Sequence, residues 1–360
     1  MKADQKIDAL KIRTVSVPLE HPHRTASGEI SASPLVLTDI TTSGGIVGHS
    51  LVFTYTPAAL KPTADFIKNI GDFIKGENAA PGHIEQMLVK KFRLLGSQGL
   101  VGMAIAAIDM ALWDALARMA DVSLARLLGA KPKPIPAYGA VGYDGVKGSA
   151  QAAEAWVKMG FKGIKAKIGY ESGRKDLEVI RAMRDAVGEE VAIMVDYNQS
   201  LLPAEAIERL RAIDEEGLTW VEEPTLAHDY SGHASIRQEI KTPIQCGENW
   251  WGIQDFTHAV NARASDYVMP DVMKIGGVTG WNRAAAVAQS LGLKVSNHLW
   301  PEISAQLMCA TPNAHWLEYA DWWSPIFAQP LVIEDGMAVV DGASGTGVEW
   351  NETAVAKFEV

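Results

Sequence analysis

Hydrophobic and polar positions follow two periods along the chain, and the change from one to the other divides it. Residues 7–17, 35–41 and 46–53 alternate apolar and polar side chains, the period of a half-buried strand. "TTSGG" supplies a tight turn between the second and third, so the three predict an antiparallel meander. From about residue 57 to 129 the spacing turns helical, and Gly129, Pro132 and Pro134 end it. An α+β unit over 1–132 is expected. Within it the polar stretch "EHPHRTASGEISASP", residues 20–34, reads as a lid loop.

From Pro134 the rhythm changes. Short apolar segments recur at "PIPAYGAVG", "GIKAKIG", "VAIMVDYN", "TWVEEP", "PIQCGEN", "DYVMPDVM", "KVSNHL" and "HWLEYA", eight in all. Helical patterns of about ten to fifteen residues separate them, as in "AEAIERLRAIDEEG". Strand–helix alternation implies parallel strands, and eight imply a closed α/β barrel over 133–330. An open doubly wound sheet would carry a glycine fingerprint after its first strand, and neither G-x-G-x-x-G nor a P-loop is present. "GGVTG" at 276–280 reads as a tight strand-to-helix turn.

Chemistry in such a barrel sits at the C-terminal ends of the strands. Read in order, those ends carry Lys165 and Lys167, then Asp196, Glu222, Glu248, Asp271, His298 and Glu318. Asp196, Glu222 and Glu248 are spaced 26 residues apart, one strand–helix unit each. Singly, each has a plainer role: Asp196 or Asp271 as a helix cap, Glu222 as charge near a helix N-terminus, His298 as a core histidine. Independent caps, however, would not put an acid or base at seven consecutive strand ends.

Three converging oxygen donors without cysteine or histidine suit a hard cation, Mg2+ in the first place and structural Ca2+ as the alternative. Lys165 and Lys167 alternate with Ile164, Ala166 and Ile168, so both ammonium groups leave one face of the strand. At ~6.5 Å and an effective dielectric of ~20 their repulsion is about 2.5 kcal/mol, roughly two pKa units. One of the pair is therefore expected neutral near neutral pH, as a general base. Asp271 is placed to orient His298 as a second base, and Glu318, protonated, to stabilise negative charge. A cation, an ammonium and two bases suit removal of a weakly acidic α-proton beside a carboxylate, where the enediolate concentrates charge.

Composition narrows the partners. Lys and Arg number 33 against 43 Asp and Glu, a net charge of −10, which disfavours nucleic acid and anionic membranes. The apolar "LVGMAIAAIDMALWDALARMA" carries Asp109, Asp114 and Arg118 with a helical period, and reads as a buried helix. Two cysteines form no disulfide framework and the N-terminus has no apolar leader segment, so a cytoplasmic protein is expected.

The segments "IDMALWDAL", "KAKIG", "VDYNQS", "EEPTLAHDY", "GENWWG", "MPDVMKIGGVTGW", "NHLWPEISA" and "ATPNAHWLE" together resemble the enolase superfamily, and within it the mandelate racemase subgroup. That resemblance implies a (β/α)7β modified TIM barrel, a capping α+β domain, and a C-terminal segment over 331–360 that returns to the cap. It implies Lys167 as base for the S-configured α-proton and His298, with Asp271, as base for the R face. Lys165 and Glu318 would hold the substrate carboxylate, Asn198 the substrate hydroxyl, and Asp196, Glu222 and Glu248 Mg2+. A homo-oligomer, an octamer, is implied as well. Lys274 is expected to be structural.

The subgroup's apolar, valine-rich lid is replaced here by a polar one, with His23, Ser27 and Glu29 at the substrate-facing positions, and Ala140 stands where the resemblance implies a serine. Burying a phenyl ring against unpaired His or Glu is costly, which favours a polar substrate arm. Trp300, Trp322 and Trp323 are expected near the last strand ends, as apolar wall or as core. Three functions remain open at this point: racemisation or epimerisation of a 2-hydroxy acid, dehydration of an acid sugar by the same residues, and a non-catalytic binding protein on the fold.

Overall fold

A computed structural model describes residues 5–25, 28–340 and 342–360. Strands β1 (Ile7–Thr25), β2 (Gly28–Thr42) and β3 (Val47–Phe53) form an antiparallel sheet in chain order. Alternation turns Arg13, Val15 and Val17 inward. Helices α1 (Pro57–Ile74) and α3 (Gly99–Met119) cover that face, α2 (Pro81–Lys91) packs on α3, and the short α4 (Leu124–Leu127) leads onward. Leu60, Ala64, Ile67 and Ile74 form the buried stripe of α1, whose N-cap Thr56 accepts from the Ala58 amide.

Helix α3 is long and apolar enough to cross a membrane, yet it lies buried between the sheet and the rest of the molecule. Its carboxylates are spoken for. Asp114 accepts from the Thr346 and His49 amides, and Asp109 accepts from the Thr279 amide and hydroxyl.

Residues 20–25 and 28–34 are strand rather than loop. After an irregularity between Pro18 and His23, β1 and β2 resume pairing through His23–Ile30, Arg24–Glu29 and Thr25–Gly28. The hairpin runs beyond the helices, so backbone pairing persists where no apolar face is required, and the period-two signal fades.

The second unit alternates strictly: β4 (Ile135–Val141), α5 (Gly145–Lys158), β5 (Gly163–Lys167), α6 (Gly173–Val187), β6 (Ala192–Asp196), α7 (Pro203–Arg211), β7 (Trp220–Glu222), α8 (Tyr230–Glu239), β8 (Ile244–Cys246), α9 (Gly252–Asn261), β9 (Tyr267–Val268), α10 (Gly277–Ser290), β10 (Lys294–Val295), α11 (Pro301–Cys309) and β11 (Leu317–Tyr319). Strands β4 to β10 pair in parallel, each with the next. β11 returns to β4, and a Val295–Ala314 bridge joins the last edge, so the sheet closes as a (β/α)7β barrel.

A terminal hairpin, β12 (Val332–Glu334) and β13 (Met337–Val339), adds antiparallel to β4. Helix α12 (Glu352–Phe358) then lies against β1, and the Val360 amide donates to Thr14. The two units also meet at α10, where Gly277 has φ of +73° and the Asp109 carboxylate occupies the space a Cβ would fill. A side chain there would push α3 off the barrel.

Candidate active site

Strand register brings the ionisable ends together. Lys167 pairs with Asp196 across β5–β6, and Asp196 with Glu222 across β6–β7. Glu248 follows β8 by way of Gly247, whose φ of +141° and 2.9 Å approach to the Met269 backbone leave no room for a side chain. Asp196, Glu222 and Glu248 each place a carboxylate oxygen within 4.8 Å of the others, and all three are buried.

Burial, with Asp196 and Glu248 alongside, pushes Glu222 well above the carboxylate range despite Lys165. Glu248 Oε2 is buried with no hydrogen-bond partner. Crowded, partly unsatisfied carboxylate oxygens with no sulfur or nitrogen donor among them fit a hard divalent ion such as Mg2+.

Both lysines are buried, and carboxylates surround them. Lys165 Nζ donates to Glu222 Oε1 at 2.7 Å and pairs with Glu318 Oε1 at 2.7 Å. Lys167 Nζ donates to Asp196 Oδ2. The expected neutral lysine is therefore corrected. Burial is the largest single influence and favours the neutral amine, as does Lys165, but Asp196, Glu248 and Glu222 together prevail, so Lys167 is held above its ordinary value. Lys165 is held well above it by Glu222 and Glu318, again against burial.

On another wall Asp271 and His298 form a parallel bridge just beyond β9 and β10. His298 Nδ1 lies 2.7 Å from Asp271 Oδ2, and its Nε2 lies 3.5 Å from Glu248 Oε2. Asp271 Oδ1 accepts from the Met273 and Lys274 amides at 2.8 and 3.0 Å, which fixes the carboxylate. Beyond His298 the backbone passes through two left-handed residues, Leu299 (φ 50°) and Trp300 (φ 46°), a conformation found where a site constrains the chain.

Glu318 accepts from the Leu299 amide at 3.0 Å. Its expected protonated form is also corrected. Burial raises it, but Lys165, His298 and Lys167 prevail and draw it down to about 2. Asn198, left-handed at φ 45°, donates to Asp196 through its amide and its Nδ2, while its Oδ1 is buried without a partner.

The lid residues separate. His23 is buried and packs against Trp322, the rings tilted by 48° with centroids 5.0 Å apart. Glu29 turns outward, exposed and paired with Arg24 at 3.0 Å, so its expected substrate-facing position is not the one observed. Ser27 lies outside the described residues. Trp300 and Trp323 are core, whereas Trp322 is half-buried under His23. Lys274 donates to Asn249 Oδ1 at 2.7 Å and lies 4.7 Å from the Tyr55 ring centre.

Three neighbours of the site were hidden from sequence reading. Glu223 is fully buried at φ 37°, with Oε1 unpartnered and Oε2 accepting from Asn249. Asn249 also donates to Glu248 at 3.0 Å. Tyr55, on the cap, donates its hydroxyl to Asp271 Oδ2 at 3.4 Å. The doubled "EE" and the "EN" were visible signals for the first two. Nothing local in "FTYTP" pointed from the cap to a residue 216 positions away.

A capped (β/α)7β barrel with three carboxylates and two separate bases at its mouth defines the class. Residues 7–129 match the mandelate racemase / muconate lactonizing enzyme N-terminal domain, and residues 148–354 the enolase C-terminal domain-like family. The chain belongs to the mandelate racemase subgroup of the enolase superfamily.

Among solved structures it is similar to an enolase from Bradyrhizobium complexed with magnesium and mandelic acid. That likeness has 41% identity, TM-score 0.94 and 100% of both chains covered. Among characterised relatives, the L-talarate/galactarate dehydratase of Salmonella typhimurium is 32% identical over 296 residues, 80% of this chain and 73% of that one. The L-Ala-D/L-Glu epimerase of Bacillus subtilis is 26% identical over 304 residues, 80% of this chain and 79% of that one.

Proposed function

We propose that this enzyme racemises or epimerises a 2-hydroxy acid through Mg2+-assisted removal of its α-proton. One observation carries the reading. Two bases reach the carboxylate triad from separate walls, Lys167 against Asp196 from β5 and His298 against Glu248 from beyond β10. Strands β4 and β11 lie between them on one side of the barrel, and β6 to β9 on the other. A proton can therefore leave one face of a planar intermediate and return to the other.

Asp196, Glu222 and Glu248 would hold Mg2+, which when bound supplies positive charge for the enediolate. Lys165 positions the substrate carboxylate, Glu318 takes up a proton to stand beside it where the two meet, and Asn198 positions the α-hydroxyl. Lys167 takes or gives the proton at Nζ on one face, and His298 at Nε2 on the other, with Asp271 holding the imidazole tautomer. Similarity to a structure containing magnesium and mandelic acid supports this reading.

Dehydration is the second reading, favoured by the similarity to a talarate/galactarate dehydratase. The same enediolate would then lose a β-hydroxyl with His298 as acid. Incubation with Mg2+ and candidate acids in D2O separates the two: racemisation gives inverted, α-deuterated acid, and dehydration gives a 2-keto acid. A homo-oligomer is part of the proposal. Leu94 and Leu95, at 100% and 68% exposed on the α2–α3 connection, offer an apolar surface to a second copy, which sedimentation would register.

A further inference from the structure

We propose that Asp176 is a positioning residue for the Lys167 base: its carboxylate ties the turn after β5 to the turn after β6 and so holds Lys167 against Asp196. This role rests on the two-base reading proposed for the site and adds to it a residue from outside the cluster at the barrel mouth.

The Ile168 amide, one residue past Lys167, donates to the Asp196 carbonyl at 2.9 Å and closes the ladder between the two strands. Beyond that bond Asp176, in the first turn of α6, takes over the link. On the β5 side its Oδ1 accepts from the Gly169 amide at 3.0 Å and the Tyr170 amide at 2.8 Å. On the β6 side its Oδ2 accepts from the Tyr197 hydroxyl at 3.0 Å, and Arg209 Nη1 reaches the same oxygen at 3.4 Å. That guanidinium nitrogen also donates to the Tyr170 carbonyl at 2.7 Å. The two turns touch. At Gly169, with φ of +100°, a Cβ would meet Ser200 Oγ at 2.8 Å and the Tyr197 ring at 3.3 Å.

An acid in the first turn of a helix is ordinarily favourable charge at the helix N-terminus. Asp176 is turned elsewhere. Ser172 caps α6 by accepting from the Lys175 amide at 3.3 Å, while Asp176 is fully buried and faces back toward the strand ends. A buried carboxylate is costly unless donors surround it, and its four partners here are all donors. Burial, with Asp176 alongside, holds the Tyr197 phenol well above its usual range, so it remains one of them.

Lys167 lies two residues before Gly169, and Asp196 one before Tyr197, so both members of the pair leave the chain at the ends this carboxylate joins. His298 stands on another wall with its own anchor, Asp271, itself fixed by the Met273 and Lys274 amides. Loosening Asp176 therefore reaches one base and spares the other. A misplacement of about 1 Å is enough to slow a reaction about 10²-fold.

The test is a double-variant cycle on the full chain in D2O with saturating Mg2+. Proton NMR follows α-deuterium uptake by mandelate, galactarate and L-talarate, and the fastest of them is used. His298→Asn isolates the Lys167 face, and Lys167→Ala isolates the His298 face. Asp176→Ala is expected to slow exchange about tenfold or more in the His298→Asn protein, in kcat rather than KM. In the Lys167→Ala protein it should change the rate by less than about threefold. Asp176→Asn, which keeps one oxygen for the two amides, should restore most of the lost rate. Tyr197→Phe, which frees only the β6 side, should show the same one-sided loss at smaller size. Melting curves verify folding, and if Asp176→Ala does not fold, Tyr197→Phe decides.

Equal losses on both faces, or no loss on the Lys167 face, would overturn the role of Asp176 and leave the two bases intact. Exchange from none of the probes with Mg2+ bound, or parent variants that fail to separate the faces, would overturn the two-base reading and the role of Asp176 with it.

Discussion

His298 is held from both sides: Asp271 Oδ2 lies 2.7 Å from its Nδ1, and Glu248 Oε2 lies 3.5 Å from its Nε2. One carboxylate fixes the tautomer, and the other belongs to the cation site, so the base is aimed at whatever the cation holds. Asp271→Asn keeps the shape and removes the charge that stabilises the imidazolium. Proton exchange on the His298 face should fall about 10²- to 10⁴-fold, with the Lys167 face reduced far less. Separate exchange rates for the two enantiomers of one substrate measure this.

Crowded buried carboxylates predict a stability gain on metal binding. Mg2+ at a hundred times its Kd should stabilise the fold by about 2.7 kcal/mol, visible as a rise in Tm. Glu248→Gln should lose most of that rise, and EDTA should abolish both the rise and the activity. A Tm indifferent to Mg2+ would remove the triad's assigned role.

Asn249 accepts from Lys274 and donates to both Glu223 and Glu248 in part-buried hydrogen bonds. Outer partners of this kind orient the ligands that touch a metal. Asn249→Ala should weaken Mg2+ binding about 10- to 100-fold in calorimetry without unfolding the protein.

Asp109 ties the cap to the barrel through Thr279, and burial raises its pKa from 3.8 to about 7. The folded state therefore keeps this proton longer than the unfolded state does. As far as this group is concerned, stability is greatest below about pH 4 and falls as pH rises towards about 7, then levels. Asp109→Asn removes that slope, so the Tm difference between wild type and variant should change sign or shrink between pH 5 and pH 8. Parallel Tm curves for the two proteins would contradict it.

The barrel was legible because its strands are short and apolar and, after the first, each carries or leads into an ionisable residue, from Lys167 to Glu318. The lid was not. Residues 23–25 pair with 28–30 as strands beyond the alternating core positions of the cap sheet, so no periodicity marks them. Charge was half legible as well. Two lysines two residues apart announce repulsion, but the stronger influences, Asp196 on Lys167 and Glu222 on Lys165, come from the next two strands, β6 and β7, which only register brings close. Tyr55 and His23 reach the site from the cap, and only the way the two units pack makes them neighbours of Asp271 and Trp322.

Face-selective exchange in D2O tests two-base racemisation most directly, with each enantiomer of a turned-over substrate followed in wild type, Lys167→Ala and His298→Asn. Two bases predict that wild type exchanges both enantiomers, that His298→Asn exchanges only the S enantiomer, and that Lys167→Ala exchanges only the R. If both enantiomers still exchanged in either variant, or neither did in both, the division of labour between Lys167 and His298 would be contradicted.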